Sequence, residues 1–128
     1  MFLKFNSQEE RKEYGGSMFV ELQYCTLPNS TPIEKIVDVD SIENWKNDSL
    51  YVHNENEFYQ EYSKIFTDGV YCNGESGVVD IYGINYYSKE QTNTIIERLE
   101  SLQPKDYECL IEWLQKAKEY NGFYILGI

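Results

Sequence analysis

The sequence is poor in the residues that most often carry metal chemistry. It has one histidine, His53, and three widely spaced cysteines that form no CxxC motif: Cys25, Cys72 and Cys109. An odd number of dispersed cysteines fits neither a disulfide framework nor a zinc site. Each lies in an apolar stretch, so we predict that all three are small core residues. The carboxylates after His53 suit the first turn of a helix better than a metal site, and we expect no metal and no cofactor.

Motifs of nucleotide-binding and hydrolytic enzymes are absent as well. The chain contains no GxGxxG, P-loop or GxSxG pattern. Asp38-Val39-Asp40 opens like an EF-hand loop, but that loop needs glycine at its sixth position and glutamate at its twelfth. This chain has Glu43 and Ser49 at those positions. We therefore predict no catalytic residues and expect that the protein is not an enzyme.

Long apolar runs are also missing. No stretch approaches the roughly 20 apolar residues that cross a bilayer. The N-terminal segment turns polar and charged from Gln8 onward, which leaves no room for the apolar core of a signal peptide. We therefore expect a cytoplasmic protein. With 128 residues and 41% hydrophobic content, the chain has the size and composition of one globular domain, and we assign residues 1–128 to it.

Basic residues are scarce relative to acidic ones. The chain has 11 Lys and Arg against 22 Asp and Glu, a net charge of −11, and residues 34–61 hold eight acidic side chains against Lys35 and Lys46. A negative field repels nucleic acid and anionic membranes and speeds the encounter with a basic protein, although solubility alone also explains it. The predicted partner-binding residues in this acidic segment are Asp38, Asp40, Glu43, Asp48, Glu55 and Glu57.

The first half of the chain predicts two strands and one helix. Residues 2–6 suit a short strand, and the apolar alternation over residues 18–25 predicts a half-buried strand. Turn residues make 27–32 a loop. Residues 55–66 have helical spacing, and Asn54 precedes them as the cap.

Residues 32–47 allow two interpretations. A Thr-Pro start with Glu34 three residues after the threonine favours a helix. The β-branched residues among 36–39 favour a strand instead. We favour a strand through about residue 39, followed by a short helix. Asp40 would be its N-cap, and Glu43 would be the capping-box partner three residues later.

A hairpin is predicted next, and it is rich in tyrosine. Asn73-Gly74 separates a strand at 70–72 from a longer strand at 78–87. A bulge at Gly83 would place Asp80 on one face with Tyr82, Asn85 and Tyr87. Tyrosine rings beside a carboxylate can hold a lysine or arginine side chain, although such a face can also pack under a helix. The predicted partner-binding residues here are Asp80, Tyr82 and Tyr87.

The C-terminal third predicts two amphipathic helices and a final strand. Ser88 opens a capping box for a helix to about Leu102, and a second helix runs from Pro104 to Asn121-Gly122. Phe123–Ile128 carries no charge, so we expect a central or well-covered strand. The predicted fold class is α+β, a mostly antiparallel sheet in a single domain covered by the two C-terminal helices.

The chain from Tyr82 onward resembles a known class of proteins. The likeness is carried by Tyr82–Ser88, Thr94–Leu99, Leu110–Ala117 and Gly122–Ile128. These stretches resemble small immunity proteins of bacterial polymorphic and contact-dependent growth-inhibition toxin systems. The resemblance implies that the chain binds and neutralises a cognate toxin domain, frequently a nuclease, by covering its active site or a nearby surface. It carries over no binding residue position by position.

The composition and the resemblance together predict a partner-binding function. We expect the partner to be a toxin protein with a basic surface, because an acidic, tyrosine-rich chain is suited to attract and hold one. An adaptor or interaction domain with another partner is the alternative. A small ligand-binding domain or an enzyme would instead need a closed cavity with converging polar groups.

Overall fold

The computed structural model describes residues 1–15 and 19–127, which form one seven-stranded sheet with five α-helices. The strands are β1 (Phe2–Leu3), β2 (Val20–Tyr24), β3 (Leu50–Val52), β4 (Gly69–Tyr71), β5 (Ser76–Gly77), β6 (Ile84–Tyr87) and β7 (Phe123–Leu126). The helices are α1 (Gln8–Gly15), α2 (Ile33–Ile36), α3 (Glu55–Tyr62), α4 (Lys89–Leu102) and α5 (Tyr107–Ala117). All pairings are antiparallel in the order β1-β3-β2-β7-β6-β4-β5. The predicted α+β class is confirmed.

The main hydrophobic core lies on one face of the sheet, under α3, α4 and α5. Helix α4 begins with the predicted capping box: the Ser88 hydroxyl accepts from the Gln91 N–H at 3.1 Å, and the Gln91 side chain accepts from the Ser88 N–H at 2.7 Å. The two C-terminal helices bury the apolar stripes Ile95, Ile96, Leu99 and Leu110, Trp113, Leu114, Ala117. Helix α3 begins at the predicted cap, since the Asn54 side chain accepts from the Glu57 N–H at 3.0 Å.

The opposite face of the sheet is covered too. Ile36 and Val37 pack there against Tyr86 and Tyr124. Helix α1 packs at the other end of the same face, where Arg11 lies over the ring of Tyr51. Because both faces are covered, β2 is buried along its whole length, and the prediction of a half-buried strand is wrong. The polar positions of the alternating pattern face a buried hydrogen-bond network instead of water.

Strand β7 is the centre of the sheet, between β2 and β6. Phe123 and Ile125 are fully buried in the main core, so the prediction of a central strand is confirmed, while Ile128 lies outside the described residues. The chain enters β7 through Gly122, whose φ is +76°. A Cβ at Gly122 would lie 2.0 Å from the carbonyl oxygen of Tyr87, so only glycine fits there.

Residues 32–47 contain no strand, and the prediction of one through residue 39 is wrong. They form α2 and then a 3₁₀ turn at Val39–Ser41. Asp38 caps that turn by accepting from the Asp40 N–H at 2.9 Å, so the cap also differs from the predicted Asp40. Burial explains the difference: Ile36 is an apolar anchor for the sheet face, and burial outweighs its β propensity.

A hairpin is confirmed at Asn73-Gly74, but its returning strand is β5, which lies inside the predicted turn, and only β6 of the predicted strand at 78–87 belongs to the sheet. Residues 78–83 leave the sheet, and β6 returns on the other side of β4 from β5. The predicted bulge at Gly83 is wrong, because Gly83 lies in a turn that the Asn85 side chain closes. Asn85 accepts from the Asp80 N–H at 2.8 Å and donates to the Asp80 carbonyl at 2.8 Å.

Two further predictions need correction. Cys25 is buried, but Cys72 and Cys109 are exposed. Cys72 lies at the hairpin turn, and Cys109 lies on the outer side of α5. The charged stretch from Gln8 forms α1, for which the sequence predicted no element. None of the helices in the described ranges is long and apolar enough to cross a bilayer.

Candidate functional site

An open groove of about 820 Å³ lies between α3 and the loop that follows β5. Its principal lining residues are Asn56, Tyr59, Tyr71, Val78, Asp80 and Tyr82. The other cavities described measure about 210 to 380 Å³. The groove is therefore the largest of these four concave surfaces.

Helix α3 forms one wall of the groove, because one side of the helix faces the main core and the other side faces outward. Phe58 and Tyr62 are four residues apart and point into the main core. Tyr59 lies one position after Phe58, so the helical rotation of about 100° per residue turns it outward. A tyrosine on the outer side of an amphipathic helix satisfies its hydroxyl with water and leaves its ring free for contact.

Exposed apolar side chains are concentrated at this groove. Tyr59 is 41%, Val78 42% and Tyr82 68% exposed. Single exposed apolar residues are ordinary, but a contiguous group of them is uncommon on a monomeric soluble protein and often marks an interaction surface. Tyrosine is also among the residue types that most often dominate binding energy in interfaces.

Asp80 is the carboxylate of the groove, and the fold holds its backbone firmly. One of its carboxylate oxygens accepts from the Tyr82 N–H at 2.9 Å. Asn85, which is buried, bonds to both the N–H and the carbonyl of Asp80 and donates to the Ile125 carbonyl of β7 at 2.9 Å. The loop at Gly83 is tied to the same strand end, because Gly127 N–H donates to the Gly83 carbonyl at 2.7 Å.

Tyr71 is fixed at the floor of the groove. Its hydroxyl donates to the Val78 carbonyl, and a Cβ on Gly77 would lie 2.6 Å from that hydroxyl, so the ring needs glycine beneath it. Burial raises the pKa of Tyr71, and the nearby Asp80 carboxylate and Tyr59 hydroxyl raise it further. The Tyr59, Tyr71 and Asp80 side chains all line the groove.

The structure separates the predicted acidic residues onto different surfaces. Asp38, Asp40 and Glu43 are exposed on the segment that covers the second face of the sheet. Glu43 forms an ion pair with Lys46 at 3.1 Å. They lie on the opposite layer from α3 and do not line the groove.

The remaining acidic residues of the segment have mixed surroundings. Glu55 and Glu57 lie in the first turn of α3, the helix that lines the groove, and Glu57 forms an ion pair with Lys105 at 2.9 Å. Asp48 is half-buried, and its backbone carbonyl accepts from the Trp113 indole at 2.8 Å. Only this pair belongs to an element that lines the groove, and neither residue is itself a lining residue.

The three residues predicted from the hairpin have different positions. Asp80 and Tyr82 line the groove together, whereas Tyr87 is 1% exposed and packs in the core against Phe66 and Phe123. The prediction that Tyr87 shares a face with Tyr82 is wrong, because the chain turns at residues 80–83. Tyr59 and Tyr71 were missed as groove residues.

A second polar cluster is buried beneath α1. The Glu21 carboxylate accepts from the Ser49 hydroxyl at 2.7 Å and from the Gln23 amide at 3.0 Å. Burial raises the pKa of Glu21, while these hydrogen bonds and the Arg11 charge oppose the rise. The Arg11 guanidinium lies 5.5 Å from the ring centre of Trp45. This cluster connects α1 to the sheet and lies away from the groove.

The described ranges contain no group of three His, Cys, Asp or Glu side chains placed to hold a metal ion. Comparison with protein-family models, with curated proteins and with solved structures gives no match to this chain.

Proposed function

We propose that the protein is an immunity-type inhibitor that binds a basic toxin domain through the groove between α3 and the 78–83 loop. The observation that carries the proposal is the concentration of exposed Tyr59, Val78 and Tyr82 around one fixed carboxylate. The binding reaction needs no cofactor and no catalytic group. The resemblance of the C-terminal stretches to immunity proteins supports the same function.

The chemistry of the surface suits this kind of partner. A domain that acts on nucleic acid needs lysine and arginine side chains to hold phosphates. A chain with a net charge of −11 attracts such a surface over a distance and raises the association rate. Tyrosine side chains then provide contact area at a low cost in conformational entropy, because only two torsions are fixed.

The test is co-expression with the product of an adjacent toxin gene. We expect the two proteins to co-purify as a tight one-to-one complex. Tyr82→Ala should weaken binding about 30-fold, the loss typical of an interface hot spot of about 2 kcal/mol. Leu102→Ala is the matched control, because Leu102 is also exposed, at 57%, but lies at the end of α4 outside the groove. Separate elution of the two proteins, or an equal effect of both substitutions, would contradict the proposal.

The acidic residues should act mainly on the association rate. Neutralising Glu55 and Glu57 in the first turn of α3 should slow association severalfold and flatten its salt dependence, with dissociation nearly unchanged. Neutralising Asp38 and Asp40 removes the same charge from the other layer of the molecule and should have a smaller effect. Stopped-flow measurements at several salt concentrations compare the two variants. A larger effect of the Asp38 and Asp40 variant would move the interface to the second face.

A ligand-binding function is the second candidate, and the size of the groove favours it. Its volume of about 820 Å³ lies in the range of small-molecule sites, about 300–1,000 Å³. Its openness to solvent and the exposure of Tyr82 favour a protein partner instead, because small-molecule sites usually enclose most of the ligand. This candidate would be favoured by a small molecule that binds the protein at micromolar concentration and no longer binds the Tyr82→Ala variant.

A further inference from the structure

We infer that the Asp80 end of the groove is a preformed receptor for one arginine side chain of the partner. The inference deepens the proposed function, on which it rests for the identity of the partner as a basic protein. It concerns the chemistry of one part of the groove and is tested independently of that partner.

The Asp80 carboxylate has one oxygen committed and one available. Oδ1 accepts from the Tyr82 N–H at 2.9 Å and so fixes the side-chain direction. Oδ2 has no hydrogen-bond donor among the residues that the structure describes. Asp80 is exposed, and its Oδ2 lies against Gly83, where an added Cβ would come within 2.7 Å of this oxygen. Oδ2 is therefore the oxygen that we assign to a donor from outside the chain.

Three tyrosines line the groove together with this carboxylate. Tyr59 stands on α3, Tyr71 on the floor and Tyr82 on the loop. The faces of aromatic rings attract cations within about 6 Å. A groove that contains three such rings and a carboxylate is therefore complementary to a cationic side chain, and the carboxylate repels phosphate or carboxylate ligands.

Arginine fits this arrangement better than lysine. Its guanidinium is planar, so one group can lie against a ring and still donate in its own plane to a carboxylate oxygen. It is also less strongly hydrated than an ammonium group and is more easily transferred into a groove. The partner residue is therefore expected to be an arginine on a protruding segment of a basic surface.

The receptor is rigid before binding because the core holds it. Asn85 is buried and joins the backbone of Asp80 to the Ile125 carbonyl of the central strand. Gly127 ties Gly83 to the same strand. A fixed carboxylate does not have to be ordered when the ligand arrives, which is the main benefit of preorganisation.

The experiment is a titration of the protein with two short peptides, acetyl-Gly-Arg-Gly-amide and its citrulline counterpart, followed by two-dimensional NMR. Citrulline keeps the shape of arginine but has no charge. We expect the arginine peptide to shift the resonances of Tyr59, Asp80 and Tyr82 with millimolar affinity, and the citrulline peptide to leave them nearly unchanged.

Asp80→Asn should weaken binding of the arginine peptide about tenfold, the effect typical of losing one charge-assisted hydrogen bond. Asp38→Asn is the matched control, because Asp38 also caps a turn by accepting from the N–H two residues later, at 2.9 Å. Asparagine preserves that cap in both variants. Both should therefore fold normally, and only the first should lose binding.

Equal shifts with both peptides, or equal losses in both variants, would overturn the receptor. The two proposals fail in different ways. If the toxin complex forms and depends on Tyr82 while the peptides show no preference for arginine, the receptor is wrong and the proposed function stands. If the arginine peptide binds as expected but no toxin neighbour co-purifies, the receptor stands and the proposed function falls.

Discussion

Replacing Asn85 with alanine should lower the free energy of unfolding by about 2–4 kcal/mol. The Asn85 side chain makes three hydrogen bonds of 2.8 to 2.9 Å, two to the backbone of Asp80 and one to the Ile125 carbonyl. Each contributes about 0.5–1.5 kcal/mol net. The Ile125 carbonyl lies in the centre of the sheet, where water cannot replace the Asn85 donor. Loss of this hydrogen bond should therefore cost an amount at the upper end of that range. The Asp80 groups are partly solvated and belong at the lower end.

Urea denaturation of Asn85→Ala measures this loss, and Asn73→Ala is its matched control. Asn73 makes the same kind of bond, accepting from the Glu75 N–H at 2.9 Å, but on an exposed turn, so its replacement should cost less than about 1 kcal/mol. Hydrogen exchange at the Asp80 amide should also accelerate in Asn85→Ala. The reasoning is refuted if the two variants are equally stable or if exchange at Asp80 is unchanged.

Two other substitutions test the core and the buried carboxylate. Phe123→Ala should cost about 3–5 kcal/mol in urea denaturation, because Phe123 is fully buried and its ring packs against Tyr87 and Trp113; a cost below about 1 kcal/mol would show that the central strand is not packed as described. For Glu21, burial raises the folded-state pKa above the ordinary value of 4.5, so its contribution to stability is present below that value and is lost as pH rises through the raised pKa. Glu21→Gln should therefore flatten the decline in stability that sets in as pH rises above the ordinary pKa of 4.5, and an unchanged pH profile would refute this.

The C-terminal third could be predicted from sequence because its local signals agree with its tertiary role. The Ser88 capping box begins a helix whose apolar stripe meets the sheet. Gly122 provides the positive φ that the turn into β7 needs. The uncharged stretch after it is also the one that the fold places at the centre. Each of these features depends on residues a few positions apart.

The errors arise where a distant residue decides the local conformation. The loop at 78–83 leaves the sheet where the Asn85 side chain holds the backbone of Asp80 and also donates to the Ile125 carbonyl, 40 residues away. The alternation of apolar residues gives no sign of that long-range contact. Asp80 and Tyr82 of the candidate site were predictable, since they are adjacent to a recognisable hairpin. Tyr59 belongs to it only through the packing of α3, although its place beside the buried Phe58 was a usable signal.

The position of β7 also has a consequence for how the chain folds. β1, β2 and β3 lie on one side of it and β4, β5 and β6 on the other, so residues 2–52 and 69–87 contain two separate three-stranded parts of the sheet. β7 joins them, pairing Leu22 with Ile125 across most of the chain. Closing so long a loop is slow, and we expect insertion of this strand to limit the folding rate. During synthesis the two parts of the sheet cannot be connected through β7 until residues 123–126 have left the ribosome.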